Sequence, residues 1–298
     1  MKKNWFNYFV YISIIFLLYT LYKSNYLIIP KIYSKVALSA SFLLLFSGLI
    51  IHSYCYLKIL EISGYRVKLN SCIIGSGLSV FGKYIPGKLW TVVGRAAYLA
   101  DNYKMPLGKL SAISFSAEII QYWLGLLIGL FVFLVIGGPE NLNWIVLLIW
   151  FGFSILMFNS KVQNIIRSII DRIFGKKIDN YIISASMILP IFHWFLLFWI
   201  LISLGFYLFV VSISSMKIPI IISAFFPIAS TLGVLAIFIP GGIGVREGVL
   251  VAFLVLIEVP ITIATTISVA SRLWFLFGEI FLFITGYFLS KDYLITTR

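Results

Sequence analysis

Long apolar stretches constrain the fold of this chain more than any other feature. Of its 298 residues, 61% are hydrophobic, whereas soluble domains contain about 45–50%. A helix crosses a bilayer with about 20 apolar residues. We therefore predict an all-α, polytopic integral membrane protein rather than a soluble one. Six full spans are predicted, at about 5–22, 36–60, 106–136, 142–158, 181–212 and 260–290.

Two further apolar regions, at about 69–100 and 219–258, are broken in the middle by the same tripeptide. The breaks are Ile85-Pro86-Gly87 and Ile239-Pro240-Gly241. Proline ends one helix, and the Pro-Gly pair allows a second helix to begin after it. We predict two re-entrant hairpins, each made of two half-helices. The alternative is an ordinary spanning helix that is kinked at the proline.

The two broken regions resemble each other at a fixed distance along the chain. A shift of 154 residues overlays the two Ile-Pro-Gly elements and also overlays Ser76 on Ser230 and Pro106 on Pro260. We predict a duplication within one transmembrane domain, 1–298, with a first repeat at about 1–137 and a second at about 141–290. Each repeat then holds three spans and one hairpin. Because three is odd, the second repeat is inverted, as in many secondary transporters.

The net charge of +13 is distributed in a way that predicts topology. On a soluble protein such a charge would suggest nucleic acid, but here the basic residues lie between apolar runs. Lysine and arginine concentrate in cytoplasmic loops. We therefore expect a multi-pass protein of the cell membrane, with both termini cytoplasmic, in contact with membrane lipids and with no nucleic-acid partner. The loop that carries this prediction holds Lys161, Arg167, Arg172, Lys176 and Lys177.

Ionisable residues inside predicted spans form the first group of candidate site residues. Glu118 and Arg272 each lie 12 residues after a span-opening proline, about 18 Å into a helix. They are equivalent under the 154-residue shift, and we expect them to face each other or a shared cavity. Gln121, Glu247 and Glu279 are assigned to the same coupling between the halves. The alternative is a buried ion pair that only fixes packing.

Basic residues and glycines around the two breaks form the second group. The half-helices that begin after the breaks direct free N–H groups toward them, and such termini bind anions. We therefore predict a site for a lipid phosphate. Its residues would be Lys83, Gly87, Lys88, Arg95, Gly241, Gly242 and Arg246. The alternative is that these long basic side chains extend to the nearest membrane interface.

Catalytic signatures are weak in this sequence. The run from Gly82 to Lys88 is similar to a nucleotide-binding loop, but Leu89 replaces the hydroxyl residue that would hold magnesium. We find no Gly-x-Ser-x-Gly element and no carboxylate pair at catalytic spacing. His52 and His193 are interpreted as packed or interfacial, and Cys55 and Cys72 as free thiols. We expect no catalytic residue, no metal and no cofactor, and we favour a protein that is not an enzyme without deciding the question from sequence.

Two segments resemble the signatures of a known family. The segments are 83–90 with Gly94-Arg95, and 240–248. They are similar to the lysylphosphatidylglycerol synthase transmembrane (flippase-like) family, and the resemblance covers nearly the whole chain. It implies an integral protein of the cytoplasmic membrane that handles phospholipids or lipid-linked glycans. Family members that synthesise lipid carry a soluble aminoacyl-transfer domain. This chain ends at Arg298, so we expect transport without synthesis.

Together these features predict a flippase-like transporter of a phosphate-bearing lipid. The cargo would be a phospholipid or a polyprenyl-phosphate-linked sugar. Two alternatives remain open at this point. One is an accessory subunit that partners a separate glycosyltransferase or lipid-modifying enzyme, and the other is an intramembrane transferase in lipid or cell-envelope glycan synthesis.

Overall fold

The computed structural model describes residues 8, 10–15, 30–85, 89–136, 140–165, 168, 188–236 and 244–296, and these residues form helices without any strand. The first four α-helices are α1 (Lys35–Ile62), α2 (Leu69–Ser79), α3 (Trp90–Tyr103) and α4 (Leu107–Ile136). The next five are α5 (Glu140–Phe158), α6 (Phe192–Ile213), α7 (Phe225–Leu235), α8 (Val245–Leu256) and α9 (Ile261–Thr296). Two 3-10 helices, Val80–Tyr84 and Ile220–Ala224, adjoin α2 and α7.

Four helices in the described part of the chain are long and apolar enough to cross a membrane. They are Lys35–Ile62, Leu107–Val132, Phe192–Ile213 and Ile261–Lys291. They fall on four of the six predicted spans, so the prediction of a polytopic all-α membrane protein is confirmed. A fifth predicted span, 142–158, coincides with α5, whereas most of the sixth, 5–22, lies outside the described residues.

Part of the span predicted at 181–212 lies in the described residues. There the helix Phe192–Ile213 follows a turn that contains Pro190. Proline has no N–H to donate to a preceding turn, so a helix begins more easily after it than through it. Residues 181–187 lie outside the described part.

The two regions predicted as hairpins each contain two short helices. Helices α2 and α7 have 11 residues each, and α3 and α8 have 14 and 12. At 1.5 Å per residue each is about 17–21 Å long, shorter than the ~30 Å hydrocarbon core. Helix α2 packs against α3, and α7 against α8. The breaks, at 86–88 and 237–243, lie outside the described residues, so re-entrant hairpins stay a prediction.

Matching turns precede the long helices α4 and α9. Lys104 (φ 54°) and Glu258 (φ 65°) are the two non-glycine residues with positive φ in the described part of the chain, and they are 154 residues apart. In each turn the next residue donates its N–H to the carbonyl five residues earlier, at 3.2 and 3.0 Å. Pro106 and Pro260 follow, and each precedes the first residue of a long helix. The sequence equivalence therefore extends to backbone conformation.

One helix of each short pair packs on a long helix from the other half of the chain. Helix α2 lies against α9, and α7 against α4. Glycines allow these close approaches: a β-carbon at Gly77 would collide with the Leu282 carbonyl oxygen, and β-carbons at Gly125 and Gly129 would collide with α7 side chains. Small residues at such contacts are typical of membrane helix packing. This crossed packing brings both halves around one central space.

Candidate functional site

A cavity of about 200 Å³ lies where the two halves meet, and we refer to it as the central cavity. Its wall includes residues of α1, α2, α3 and α4 from the first half, and of α6, α7, α8 and α9 from the second. The volume exceeds what a single water molecule requires. The polar wall residues are His52, Ser76, Lys83, Thr91, Arg95, Glu118, Gln121, Tyr122, Ser230, Arg246 and Glu279.

Glu118 on α4 receives polar contacts from three directions. Its Oε1 lies 3.0 Å from Nη2 of Arg95, and Tyr122 donates its hydroxyl to Oε2 at 2.7 Å. His52 Nε2 lies 3.9 Å from the same Oε1. With its side chain 12% exposed, a lone carboxylate here would be costly, so these contacts explain how it is tolerated.

Arg95 on α3 is 1% exposed, yet it lines the central cavity. Its Nη2 also donates to the Ser114 carbonyl at 2.6 Å, and its guanidinium lies 4.4 Å from the centre of the Tyr56 ring. The sequence left open whether this side chain extends to an interface. The structure places it inside the bundle, between an acid, a carbonyl and an aromatic face.

The second half contains an ion pair of the same kind between α8 and α9. Arg272 Nη1 lies 2.9 Å from Glu247 Oε1, with the two side chains 5% and 11% exposed. The other carboxylate oxygen of Glu247 accepts the N–H of Gly244 at 2.7 Å, at the start of α8. A carboxylate is favourable there because helix N-termini carry unpaired donors and positive dipole.

Glu118 and Arg272 each form an ion pair with another residue of their own half of the chain. These residues are equivalent under the 154-residue shift, but each has its ion pair with a short helix of its own half. In the first half the short helix supplies the arginine, Arg95, and in the second it supplies the acid, Glu247. The halves therefore repeat an ion pair between a short and a long helix with the charges exchanged.

A contact between the halves is made at Glu279 on α9. The ammonium of Lys83, from the 3-10 helix after α2, forms an ion pair with Glu279, and Tyr84 donates its hydroxyl to the same carboxylate at 3.0 Å. Glu279 is 1% exposed. Lys83 also lies 5.1 Å from the centre of the Phe275 ring. Glu279 therefore forms an ion pair with the first half, and its coupling role stays a prediction.

Arg246 at the start of α8 lines the central cavity from the second half. It is 8% exposed. Its Nη2 donates to the carbonyl and the hydroxyl of Ser271, at 3.3 and 3.2 Å, and its guanidinium lies 4.6 Å from the centre of the Phe226 ring. Three basic side chains, those of Lys83, Arg95 and Arg246, therefore border one cavity.

Four of the predicted phosphate-binding residues belong to the two breaks. Gly87 and Lys88 belong to the first break, and Gly241 and Gly242 to the second; all four lie outside the described residues. Their role stays a prediction. Glu247, Arg272 and Gln121 are placed, and of these three Gln121 lines the cavity.

Several cavity residues had no functional role in the sequence interpretation. His52 was interpreted as packed or interfacial, yet it borders the cavity near Glu118. Ser76 and Ser230 were recognised as equivalent under the shift, and both line the cavity. Their recurrence in two apolar segments was the available signal. Thr91 and Tyr122 gave no comparable signal, because their inward direction depends on how the helices pack.

Comparison with known proteins identifies a family. No curated protein and no solved structure matches the chain. The profile of one protein family, described as the lysylphosphatidylglycerol synthase TM region, matches residues 8–282. That match covers most of the chain and includes both halves of the central cavity. This helical membrane protein therefore belongs to the lysylphosphatidylglycerol synthase TM-region family.

Proposed function

We propose that this protein moves a phosphate-bearing lipid across the cell membrane. The cargo class is a phospholipid or a polyprenyl-phosphate-linked sugar, and the cytoplasmic membrane, with both termini inside, is the proposed location. Membership of a family named for a phospholipid synthase supports a lipid-related role. The choice of transport rests on the central cavity.

The observation that carries the proposal is a charged cavity within an apolar helical bundle. Lys83, Arg95 and Arg246 border it together with Glu118 and Glu279. Ionisable groups at membrane depth are expensive, and they usually mark a substrate path. A phosphate that enters the cavity would meet basic groups from both halves. Arginine is well suited to phosphate because its planar guanidinium can bind two oxygens.

An inverted repeat is the architecture that we propose for this transport. Three facts support it: the equivalent turns at Lys104 and Glu258, the short paired helices, and the crossed packing of α2 on α9 and α7 on α4. In transporters of this kind the substrate site lies between the repeats, near the bilayer midplane. The Lys83–Glu279 ion pair would then join the halves beside the substrate.

Purified protein in liposomes tests the proposal. A fluorescent phosphatidylglycerol is placed in both leaflets, and its outward movement is followed by chemical quenching from outside. Wild-type protein should accelerate movement over empty liposomes. Arg246→Ala should reduce the rate about tenfold or more, because charged hydrogen bonds contribute about 1.5–3 kcal/mol. Glu118→Gln should also slow it.

The matched control is Arg66→Ala, which removes an exposed arginine from the segment between α1 and α2. It should transport at the wild-type rate. Arg246→Lys keeps the positive charge. Comparison of its transport rate with that of Arg246→Ala shows whether the loss of rate comes from the lost charge. Wild-type rates from both Arg246→Ala and Glu118→Gln would remove these residues from the mechanism. Absence of transport by wild-type protein for every phosphate lipid tried would favour an accessory subunit instead.

A further inference from the structure

His52 on α1 and Arg95 on α3 approach the same carboxylate oxygen of Glu118. Arg95 Nη2 lies 3.0 Å from Glu118 Oε1, and His52 Nε2 lies 3.9 Å from it. The other oxygen, Oε2, accepts the Tyr122 hydroxyl at 2.7 Å. At 3.9 Å a neutral imidazole makes no hydrogen bond, whereas an imidazolium is attracted to the carboxylate. Two groups that can carry positive charge therefore compete for one oxygen.

The other surroundings of His52 also suit a positively charged ring. The centre of the Phe198 ring on α6 lies 5.3 Å from the centre of the imidazole, and aromatic rings attract cations. The Gln121 side chain interacts with the imidazole, and its amide oxygen has no hydrogen-bond partner among the described residues. A neutral imidazole has one N–H, and a protonated one has two. Protonation would supply one donor for the Glu118 carboxylate and another for this amide oxygen.

The charge on His52 is linked chiefly to one ion pair. Helices α2, α4, α6 and α9 pack against α1. The other charged or titratable groups that line the cavity are Lys83, Arg95, Glu118, Tyr122, Arg246 and Glu279. Of these, Glu118 favours a positive charge on His52 and Arg95 opposes it. Lys83 and Glu279 form an ion pair with each other.

Arg95 is held in the cavity wall by contacts that do not involve Glu118. Its Nη2 donates to the Ser114 carbonyl at 2.6 Å, and its guanidinium lies 4.4 Å from the centre of the Tyr56 ring. While Glu118 lies against Arg95, its negative charge repels a phosphate at the same guanidinium. If Glu118 turns toward a protonated His52, the arginine stays in place with donors available to an anion. A proton on His52 therefore favours a phosphate at Arg95.

We propose that His52 and Glu118 form a proton-binding site, and that the protein binds one proton together with one molecule of phosphate-bearing lipid. This inference rests on the proposed transport of such lipids and adds the ion to which transport is coupled. His52 takes the proton from water as the lipid enters and returns it to water as the lipid leaves, and no covalent bond of the lipid changes. Because proton and lipid bind together, a proton gradient drives the lipid toward the less acidic side.

Proton uptake by purified wild-type protein tests the binding step. The probes are phosphatidylglycerol and polyprenyl-phosphoryl glucose, because a phosphodiester keeps the same negative charge over the pH range used. Each lipid is added to protein in weakly buffered detergent micelles that contain a pH indicator. Where His52 is neutral in the free protein, we expect uptake of about one proton per bound lipid. The affinity should fall by up to about tenfold for each unit of rise in pH.

The chain has two histidines, and the second provides the matched control. His52→Gln cannot take up the proton, so its affinity should not change with pH. His193→Gln, which changes an exposed residue on α6, should behave as the wild-type protein does. Glu118→Gln removes the carboxylate that attracts the proton and should also abolish uptake, so it tests the site even if His52→Gln does not fold. Proton uptake that persists in folded His52→Gln would overturn the assignment to His52.

A pH difference across the liposome membrane tests the coupling. The quenching assay follows outward movement of the lipid, with the lumen either more acidic or less acidic than the outside. An acidic lumen should accelerate outward movement by the wild-type protein several-fold, and the reverse gradient should slow it. His52→Gln should move the lipid at the same rate in both gradients. Equal wild-type rates in the two gradients would overturn the coupling.

The outcomes separate this inference from the proposed function. Lipid binding that is independent of pH and takes up no proton, in a protein that still moves the lipid, would overturn the proton site and leave transport intact. Proton uptake that depends on His52, without movement of either lipid, would overturn transport and leave the proton site standing. Binding of neither lipid at any pH would overturn both.

Discussion

At the scale of single residues, the two buried ion pairs show how charge is tolerated in this bundle. Arg95 pairs with Glu118, and Glu247 pairs with Arg272. The attraction between two charges does not depend on which helix carries which sign, so exchange of the signs preserves the interaction. What each pair requires is that both members be present.

Removal of one member should therefore be more damaging than removal of both. Glu247→Gln should lower the free energy of unfolding by about 3 kcal/mol, because the buried charge of Arg272 then loses the carboxylate opposite it. The Glu247→Leu, Arg272→Met double variant should lose less than the sum of its two single changes. Denaturation in mixed micelles, followed by tryptophan fluorescence, measures these values.

The control is the exposed pair Lys58–Glu61, whose side chains are 30% and 41% exposed. Lys58→Met should cost less than about 1 kcal/mol. Strict additivity of the single changes at Glu247 and Arg272 would show that the two residues do not interact.

At the scale of helices, the short pairs are positioned by close backbone contact. Helix α2 meets α9 at Gly77 and Gly286, where the two backbones approach within van der Waals contact. No larger residue fits at Gly77 without separation of the helices, because its β-carbon would collide with the Leu282 carbonyl oxygen. Glycine at position 77 therefore determines how closely α2, with its cavity residues, packs on α9.

Gly77→Ala should separate α2 from α9 and destabilise the protein by about 1–3 kcal/mol. The comparison is Gly108→Ala in α4, where an added β-carbon would meet nothing within 4 Å. That variant should be unchanged or slightly more stable, since alanine favours helix. The two unfolding midpoints, measured in the same micelles, test this. Equal values would mean that the α2–α9 contact can relax.

At the scale of the whole molecule, the halves join around the cavity rather than side by side. The Lys83–Glu279 ion pair crosses between them, and cavity residues come from both. The turns at Lys104 and Glu258 have the same conformation. In the proposed inverted repeat these equivalent turns lie on opposite sides of the membrane.

Cysteine labelling tests the inversion directly. Lys104→Cys and Glu258→Cys are made singly; the native Cys55 and Cys72 are buried, so the wild-type protein serves as the unlabelled control. A membrane-impermeant maleimide added to intact cells should label the Glu258→Cys protein. The Lys104→Cys protein should react only after permeabilisation. Labelling of both from the same side would contradict the inverted repeat.

The sequence by itself determined the membrane class, four spans that the described helices match, and a family resemblance that the family match confirms. It could do so because apolar length and proline position act locally along the chain. It also identified Arg95, Glu118, Arg246 and Glu279 as candidate residues, because charge in apolar sequence stands out.

Only the tertiary structure decided which of these charges meet. Glu118 pairs with Arg95, and Lys83 pairs with Glu279 196 residues away. It also decided that uncharged side chains such as Ser76 and Thr91 face the cavity. Partners are set by helix rotation and by close contacts between distant segments, and neither is encoded in local periodicity when a helix is apolar on all sides.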